Sequence, residues 1–480
     1  MHVHERVMKM AKSKEYQQAK KQFMRKLQFA HDLYSPTIRK MIEPFCDEYR
    51  AFLDAAKTER LAATEIVRLV KKAGFRELTA KSKSGNLFAV YRGKVVAVAV
   101  RGKQSTEEGV NLVISHIDSP RLDLKQNPLY EDLNVGMLKT HYYGGIRKHQ
   151  WVTRPLAIYG VVVKADGTMI DIAIGDDPAD PCFTVLDLLP HLAAKAQADK
   201  KIKDAIPGEK LNVVFGGRPL GKHEDGKDRI KLNILRLLGE KYGLVEEDFT
   251  SAELEVVPVG QARNVGIDGA FIGAYGHDDR ICAYTSLRGI LDIAKQPQRT
   301  AVCLFMDKEE IGSKGNTGAE GRFLLDFLGD LLALEGKDSE RAIRRALANS
   351  QVLSADVNAA INPDWPEVHD KRNAAHVGRG ICLTKFTGAR GKAGSSDAHA
   401  EFVGKVRLLL NKHKVPWQTG ELGKVDEGGG GTVAAFFARH GADVLDAGPA
   451  LLAMHSPFEL AHKDDVYSAF LTYRTFLEKA

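Results

Sequence analysis

The spacing of apolar positions changes several times along the chain, and each change predicts a different element. Residues 1–57 read mainly as helix, interrupted near Ser35-Pro36. Thr58 is placed to cap a second helix, in which Ile66, Leu69, Val70 and Ala73 recur at helical spacing and which Gly74 ends. Short apolar runs over 87–91, 95–100 and 111–115 predict strands. From Trp151 the apolar positions alternate or run together as far as Lys164. Asp166-Gly167 then signals a hairpin turn, and 168–174 returns as a strand. Strands are also predicted over 211–215 and 253–259, with a helix over 230–242 between them. The remainder alternates strands and helices, including one helix after Arg280 and another through 398–412, so the class is α/β.

A chain of 480 residues is long for one core and predicts more than one domain. With 44% hydrophobic and 27% charged residues it has an ordinary globular composition, and no apolar run approaches membrane-spanning length. The first residues carry no apolar signal core, and the five cysteines (Cys46, Cys182, Cys282, Cys303, Cys382) are scattered without a paired motif. That pattern fits reduced thiols in a cytoplasm rather than a disulfide framework or a thiolate zinc site. The formal charge of +7 is concentrated in residues 1–30, which hold eight Lys or Arg and two Glu. One basic helix reads as a solvated face or a subunit contact, so no nucleic-acid or membrane partner is expected.

The chemistry lies at the ends of the predicted strands. The run Ala301-Val302-Cys303-Leu304-Phe305 is followed by Glu309-Glu310. Adjacent carboxylates at a strand end repel, and an isolated pair is ordinarily a solvated turn. Here four other ligand-type motifs accompany it: His116 with Asp118, Asp278 with Asp279, Asp356, and His455. Ligands in open α/β sheets bind beyond the carboxyl ends of strands, and these residue types suit Zn, Mn or Co. Two divalent metals can share one water, lower its pKa and polarise a carbonyl. In the predicted arrangement His116, Asp278 and Asp356 bind one ion, and Asp278, Glu310 and His455 bind the other. Asp279 competes with Asp278 for the bridging role, and the sequence leaves open which faces inward. Glu309 is the expected general base. Asp118, two residues from His116, is placed to accept its second ring N–H.

Taken in order, Ser115-His116-Ile117-Asp118-Ser119-Pro120, Asp278-Asp279, Glu309-Glu310-Ile311-Gly312-Ser313, Ser354-Ala355-Asp356 and Ala453-Met454-His455-Ser456 resemble the aspartyl aminopeptidase and vacuolar aminopeptidase family, dinuclear zinc exopeptidases. The resemblance runs from about Thr58 onward, and the family gives these positions the roles just described. It implies a three-layer α/β/α catalytic domain and an inserted β-rich dimerisation domain. It also implies two zinc ions per subunit (Co or Mn as alternatives), peptide substrates, and a tetrahedral dodecamer built from dimers. The long gap between His116 and Asp278 accommodates the insertion. The expected division is a helical segment over 1–57, a catalytic domain over 58–121 and 266–480, and the insert over 122–265. Two further residues follow from the resemblance. His149, in Gly144-Gly145-Ile146-Arg147-Lys148-His149, matches a substrate-holding His once one insertion is allowed. Lys392, in a Gly-rich basic loop, corresponds by rough position to the substrate pocket. Some family members prefer acidic first residues and others do not, and the ligand motifs do not choose.

Other chemistries lack their motifs. Gly312 to Gly318 lacks the Gly-Lys-Ser/Thr ending of a phosphate loop, and there is no His-Glu-x-x-His and no Gly-x-Ser-x-Gly elbow. The remaining alternatives are a carboxypeptidase or deacylase with a similar metal pair, and a non-catalytic scaffold of the same fold.

Overall fold

The computed structural model describes residues 14–82 and 85–480. Its centre is a nine-stranded mixed sheet. In spatial order the strands are Arg76–Glu77, Asn86–Tyr91, Val95–Val100, Thr300–Met306, Val110–His116, Gln351–Ser354, Asp443–Gly448, Ile381–Thr384 and Trp417–Thr419. The four strands from Thr300–Met306 to Asp443–Gly448 are mutually parallel.

These strands are mostly apolar on both faces because both faces are covered. Along Thr300–Met306, Ala301, Cys303 and Phe305 join one core, whereas Val302, Leu304 and Met306 join another. Val95–Val100 divides the same way, residue by residue. On the first face lie the helices Pro36–Ala55, Glu59–Lys72, His277–Leu291, Ala400–Lys412 and Lys463–Lys479; on the second lie Phe323–Ala333 and Ala434–Ala438. The result is the expected α/β/α sandwich.

A separate seven-stranded antiparallel sheet contains Arg121–Asp132, Val135–Tyr143, Leu156–Val163, Met169–Ile174, Thr184–Val185, Val213–Gly216 and Ala252–Pro258, with its own apolar core around Trp151, Leu156 and Val256. The hairpin signalled by Asp166-Gly167 joins two of these strands, with Val163 opposite Met169. Gly167 sits at φ +83, where a side chain would be strained. A five-stranded sheet, ordered Arg263–Val265, Phe271–Ala274, Glu459–His462, Ala450–Leu452 and Asn358–Ala359, adjoins the central one.

Helix boundaries follow local chemistry. The Thr58 hydroxyl accepts the N–H of Leu61 and caps Glu59–Lys72, and Gly74 follows at φ +84. Ser35 caps Pro36–Ala55 in the same way. Upstream, residues 14–23 are helical, but 25–29 are not. There the Arg25 guanidinium lies 4.1 Å over the Trp417 ring, and the N–H of Ala30 donates to Gly378, so docking onto the domain replaces helix. Arg6, Lys9 and Lys12 of the predicted basic helix lie outside the described residues. No helix among the described residues is long and apolar enough to cross a membrane.

Candidate metal centre

Three adjacent parallel strands deliver three of the predicted groups to one edge of the central sheet. His116 is the last residue of its strand, in register with Met306. Glu309-Glu310 follow Met306 in a short 3-10 turn, and Asp356 follows Ser354. The five-stranded sheet brings the others: Asp278 follows the strand Phe271–Ala274, and His455 follows Ala450–Leu452. Residues far apart in sequence therefore converge.

The Asp278 carboxylate lies between two imidazoles. Its Oδ1 is 3.1 Å from Nε2 of His116 and its Oδ2 is 3.2 Å from Nε2 of His455. His455 Nε2 is also 3.3 Å from Glu310 Oε1. Donor atoms of His116, Glu309 and Asp356 lie within 4.8 Å of one another, as do those of His116, Asp278 and Glu310, and those of Asp278, Asp279 and Asp356. Asp279 Oδ2 accepts the backbone N–H of His116 at 3.3 Å, while its Oδ1 is buried without a hydrogen-bond donor.

Each ring is held through its far nitrogen. His116 Nδ1 faces the Asp118 carbonyl at 3.1 Å and its Oδ1 at 3.3 Å. His455 Nδ1 faces the Gly145 carbonyl at 2.9 Å. A proton on each Nδ1 satisfies these acceptors and leaves each Nε2 lone pair pointing at the centre, the form that binds metal. Asp118 does more: its two oxygens accept the N–H groups of Glu309 and Glu310, both at 3.2 Å, and the Tyr143 hydroxyl donates to it at 2.8 Å.

The electrostatics indicate missing positive charge. Asp278 Oδ1 and Glu310 Oε1 are buried with no hydrogen-bond donor. Burial, with Asp278 beside it, pushes Glu310 well above the carboxylate range, and burial with Glu309 nearby does the same to Asp356. Burial raises Glu309 to about 7. Although burial opposes its charge, His455 is drawn up to about 11 by Asp278 and Glu310. Carboxylate and imidazole donors gathered at this spacing, with buried oxygens that lack a hydrogen-bond donor, suit a divalent cation such as zinc. The residues present therefore fit a divalent metal.

A cavity of about 300 Å³ opens beside the cluster, lined in part by Glu309, Asp356, Phe386, Arg390, Glu421 and Lys424. Lys392 belongs to the same loop as Arg390 but pairs with Asp397 at 2.7 Å and stacks on Phe386. His149 sits part-exposed on the turn Lys148–Gln150. Two polar groups at the centre escaped the sequence reading. Glu459 accepts the backbone N–H of His455 at 2.7 Å and of Asp278 at 3.1 Å. Ser119 donates to the Asp278 carbonyl at 2.6 Å. Ser119 lies inside the His116 motif without a role assigned to it there, and Glu459 lies outside all of the motifs, four residues beyond His455.

The family model described as aminopeptidase I zinc metalloprotease (M18) matches residues 52–477. A Thermotoga maritima protein named "Probable M18 family aminopeptidase 1" is 50% identical over 442 residues, covering 91% of this chain and 96% of that protein. The crystal structure of the M18 aminopeptidase from Thermotoga maritima superposes with a TM-score of 0.91 at 49% identity, covering 95% of this chain and all of the other. The S. cerevisiae mApe1 dodecamer shares the fold, with a TM-score of 0.73 at 22% identity over 90% of this chain and 96% of that chain.

Proposed function

Because this chain belongs to the M18 family of zinc aminopeptidases, we propose that it releases the first residue of unblocked peptides at a two-ion centre held by His116, Asp278, Glu310, Asp356 and His455, with Asp278 shared between the ions. The observation that carries this reading is the Asp278 carboxylate set between two imidazole Nε2 atoms at 3.1 and 3.2 Å. Zinc bound there supplies Lewis acidity and an acidified water. Glu309 is the proton carrier. A carboxylate oxygen of Glu309 lies within 4.8 Å of donor atoms of His116 and Asp356, placed to take a proton from the attacking water and return it to the departing amine. Asp118 fixes the His116 ring and the Glu309-Glu310 main chain together.

The cavity takes the first side chain. Arg390 and Lys424 in its wall support a preference for acidic residues, and Glu421 lines it with them. His149 and Lys392 are retained as candidate substrate contacts. The inserted sheet is the proposed dimerisation domain, with Leu186, Leu188, Leu189 and Leu192 exposed on it. Dimers then assemble into a dodecamer like the one described for mApe1. The described cysteines are free, which supports a cytoplasmic location.

The deciding experiment is a panel of acidic, neutral and basic aminoacyl substrates, with free and acetylated amino ends, assayed with several divalent metals. Cleavage confined to free amino ends, lost to chelators and restored by Zn, Co or Mn, is expected. Cleavage of acetylated peptides alone would favour a carboxypeptidase or deacylase, and no cleavage under any metal would favour a scaffold.

A further inference from the structure

The strand Val135–Tyr143 of the inserted sheet runs directly into the centre, and its last residue with the two that follow touches three of its parts. The Tyr143 hydroxyl donates to Asp118 Oδ2 at 2.8 Å. Gly144, at φ +72, packs so closely that a Cβ there would lie 3.2 Å from Glu310 Cβ and 3.3 Å from its Oε2. The Gly145 carbonyl receives His455 Nδ1 at 2.9 Å, and a Cβ on Gly145 would lie 3.1 Å from that nitrogen. We propose that Tyr143-Gly144-Gly145 is a positioning element by which the inserted sheet sets the metal affinity of the catalytic domain. This rests on the metal-centre reading above.

The element is anchored from behind. Arg121 is paired with Tyr143 across the two strands, and its guanidinium lies 3.9 Å over the Tyr143 ring. Arg121 is in turn held by Glu255 at 3.1 Å and Glu59 at 3.5 Å, both buried. Glu59 opens a helix of the catalytic domain, and Glu255 lies in a strand of the insert, so both parts of the molecule fix the ring. Asp118 has three donors besides His116: two backbone N–H groups and the Tyr143 hydroxyl. Only the hydroxyl comes from the inserted sheet. Removing it leaves Oδ2 held by the Glu310 N–H alone and loosens the carboxylate plane that orients His116. The Gly145 carbonyl performs the equivalent task for His455 by fixing the proton on Nδ1. Losing an outer partner of a metal-binding histidine typically costs 10–100-fold in metal affinity or activity.

The test measures metal rather than turnover alone. Tyr143→Phe and Gly145→Ala proteins are stripped with chelator and titrated with zinc against a competing chromogenic chelator. Thermal unfolding of the metal-free proteins is recorded alongside, and Tyr142→Phe, on the neighbouring exposed position, serves as control. The expected result for Tyr143→Phe is a zinc Kd raised about 10-fold, an unchanged metal-free Tm, a shifted visible spectrum of the cobalt-loaded protein, and a fall in kcat with KM retained. Gly145→Ala should weaken zinc binding more, because its methyl group meets the His455 ring. A wild-type zinc Kd and cobalt spectrum in Tyr143→Phe would overturn the proposal and leave the metal centre intact. A wild-type protein that binds no zinc would overturn the centre itself and the proposal with it.

Discussion

Glu459 accepts the backbone N–H of His455 at 2.7 Å while His455 sits at φ +62. A non-glycine residue in the left-handed region costs on the order of 1–2 kcal/mol, and the carboxylate four residues on offsets it. The other oxygen of Glu459 holds the main chain of Asp278, so one carboxylate sets the spacing of two candidate ligands. Glu459→Gln keeps one acceptor but turns an amide N–H₂ toward the second N–H. Zinc affinity and kcat should both fall, by about 10–100-fold, as read by chelator competition and initial rates.

Glu309 and Glu310 are neighbours with opposite expected fates. Glu309→Gln should lower kcat by about 10²–10⁴-fold while metal content, measured by atomic absorption, stays at the wild-type level. Glu310→Gln should lose metal. If Glu309→Gln keeps full turnover with metal bound, Glu309 is not the base.

Metal removal should be felt most at high pH. Glu310 and Asp356 have folded pKa values raised by burial above their ordinary carboxylate values, and His455 is held up to about 11 by Asp278 and Glu310 against the opposing effect of burial. In every case the folded metal-free protein binds more protons than the unfolded chain, so its stability declines as pH rises from the carboxylate range upward. Zinc replaces those protons. The rise in Tm on adding zinc should therefore be larger at pH 8 than at pH 6, measured by scanning fluorimetry.

His277 works in the opposite direction. It is wholly buried, with Nδ1 2.7 Å from the Tyr49 hydroxyl and Nε2 3.1 Å from the Ile272 carbonyl, and burial depresses it from 6.5 to about 3. Between those values the unfolded chain binds the extra proton, so stability falls as pH drops below about 6.5 and is unaffected above it. Gln at this position keeps a donor for Ile272 and cannot titrate. The loss of urea midpoint between pH 7 and pH 5 should be smaller in His277→Gln than in the wild type.

The candidate ligands are legible in the sequence because few side chains bind metals and because strand ends are easy to find. The runs before His116, Glu309 and Asp356 are apolar on both faces, a direct consequence of a sheet covered twice. The strands Arg121–Asp132 and Val135–Tyr143 are not legible. Residues 121–125 alternate polar and apolar, but Gln126, Asn127 and Pro128 break the pattern, and the pairing shifts register between Leu124 and Leu129. Glu459 and Tyr143 are hidden for another reason: each acts through a hydrogen bond whose partner only folding selects. Lys392 and Arg390 belong to one basic loop, and composition cannot tell which of them is tied up by Asp397 and which lines the cavity.

The order in which the centre is assembled has a consequence for the cell that makes it. His116 is synthesised early, and His455 and its support Glu459 follow only after the whole inserted sheet and all nine strands of the central one. On the proposed ligand set, a growing chain on the ribosome carries no complete metal centre, and a product truncated before that last strand pair would be inert toward its neighbours.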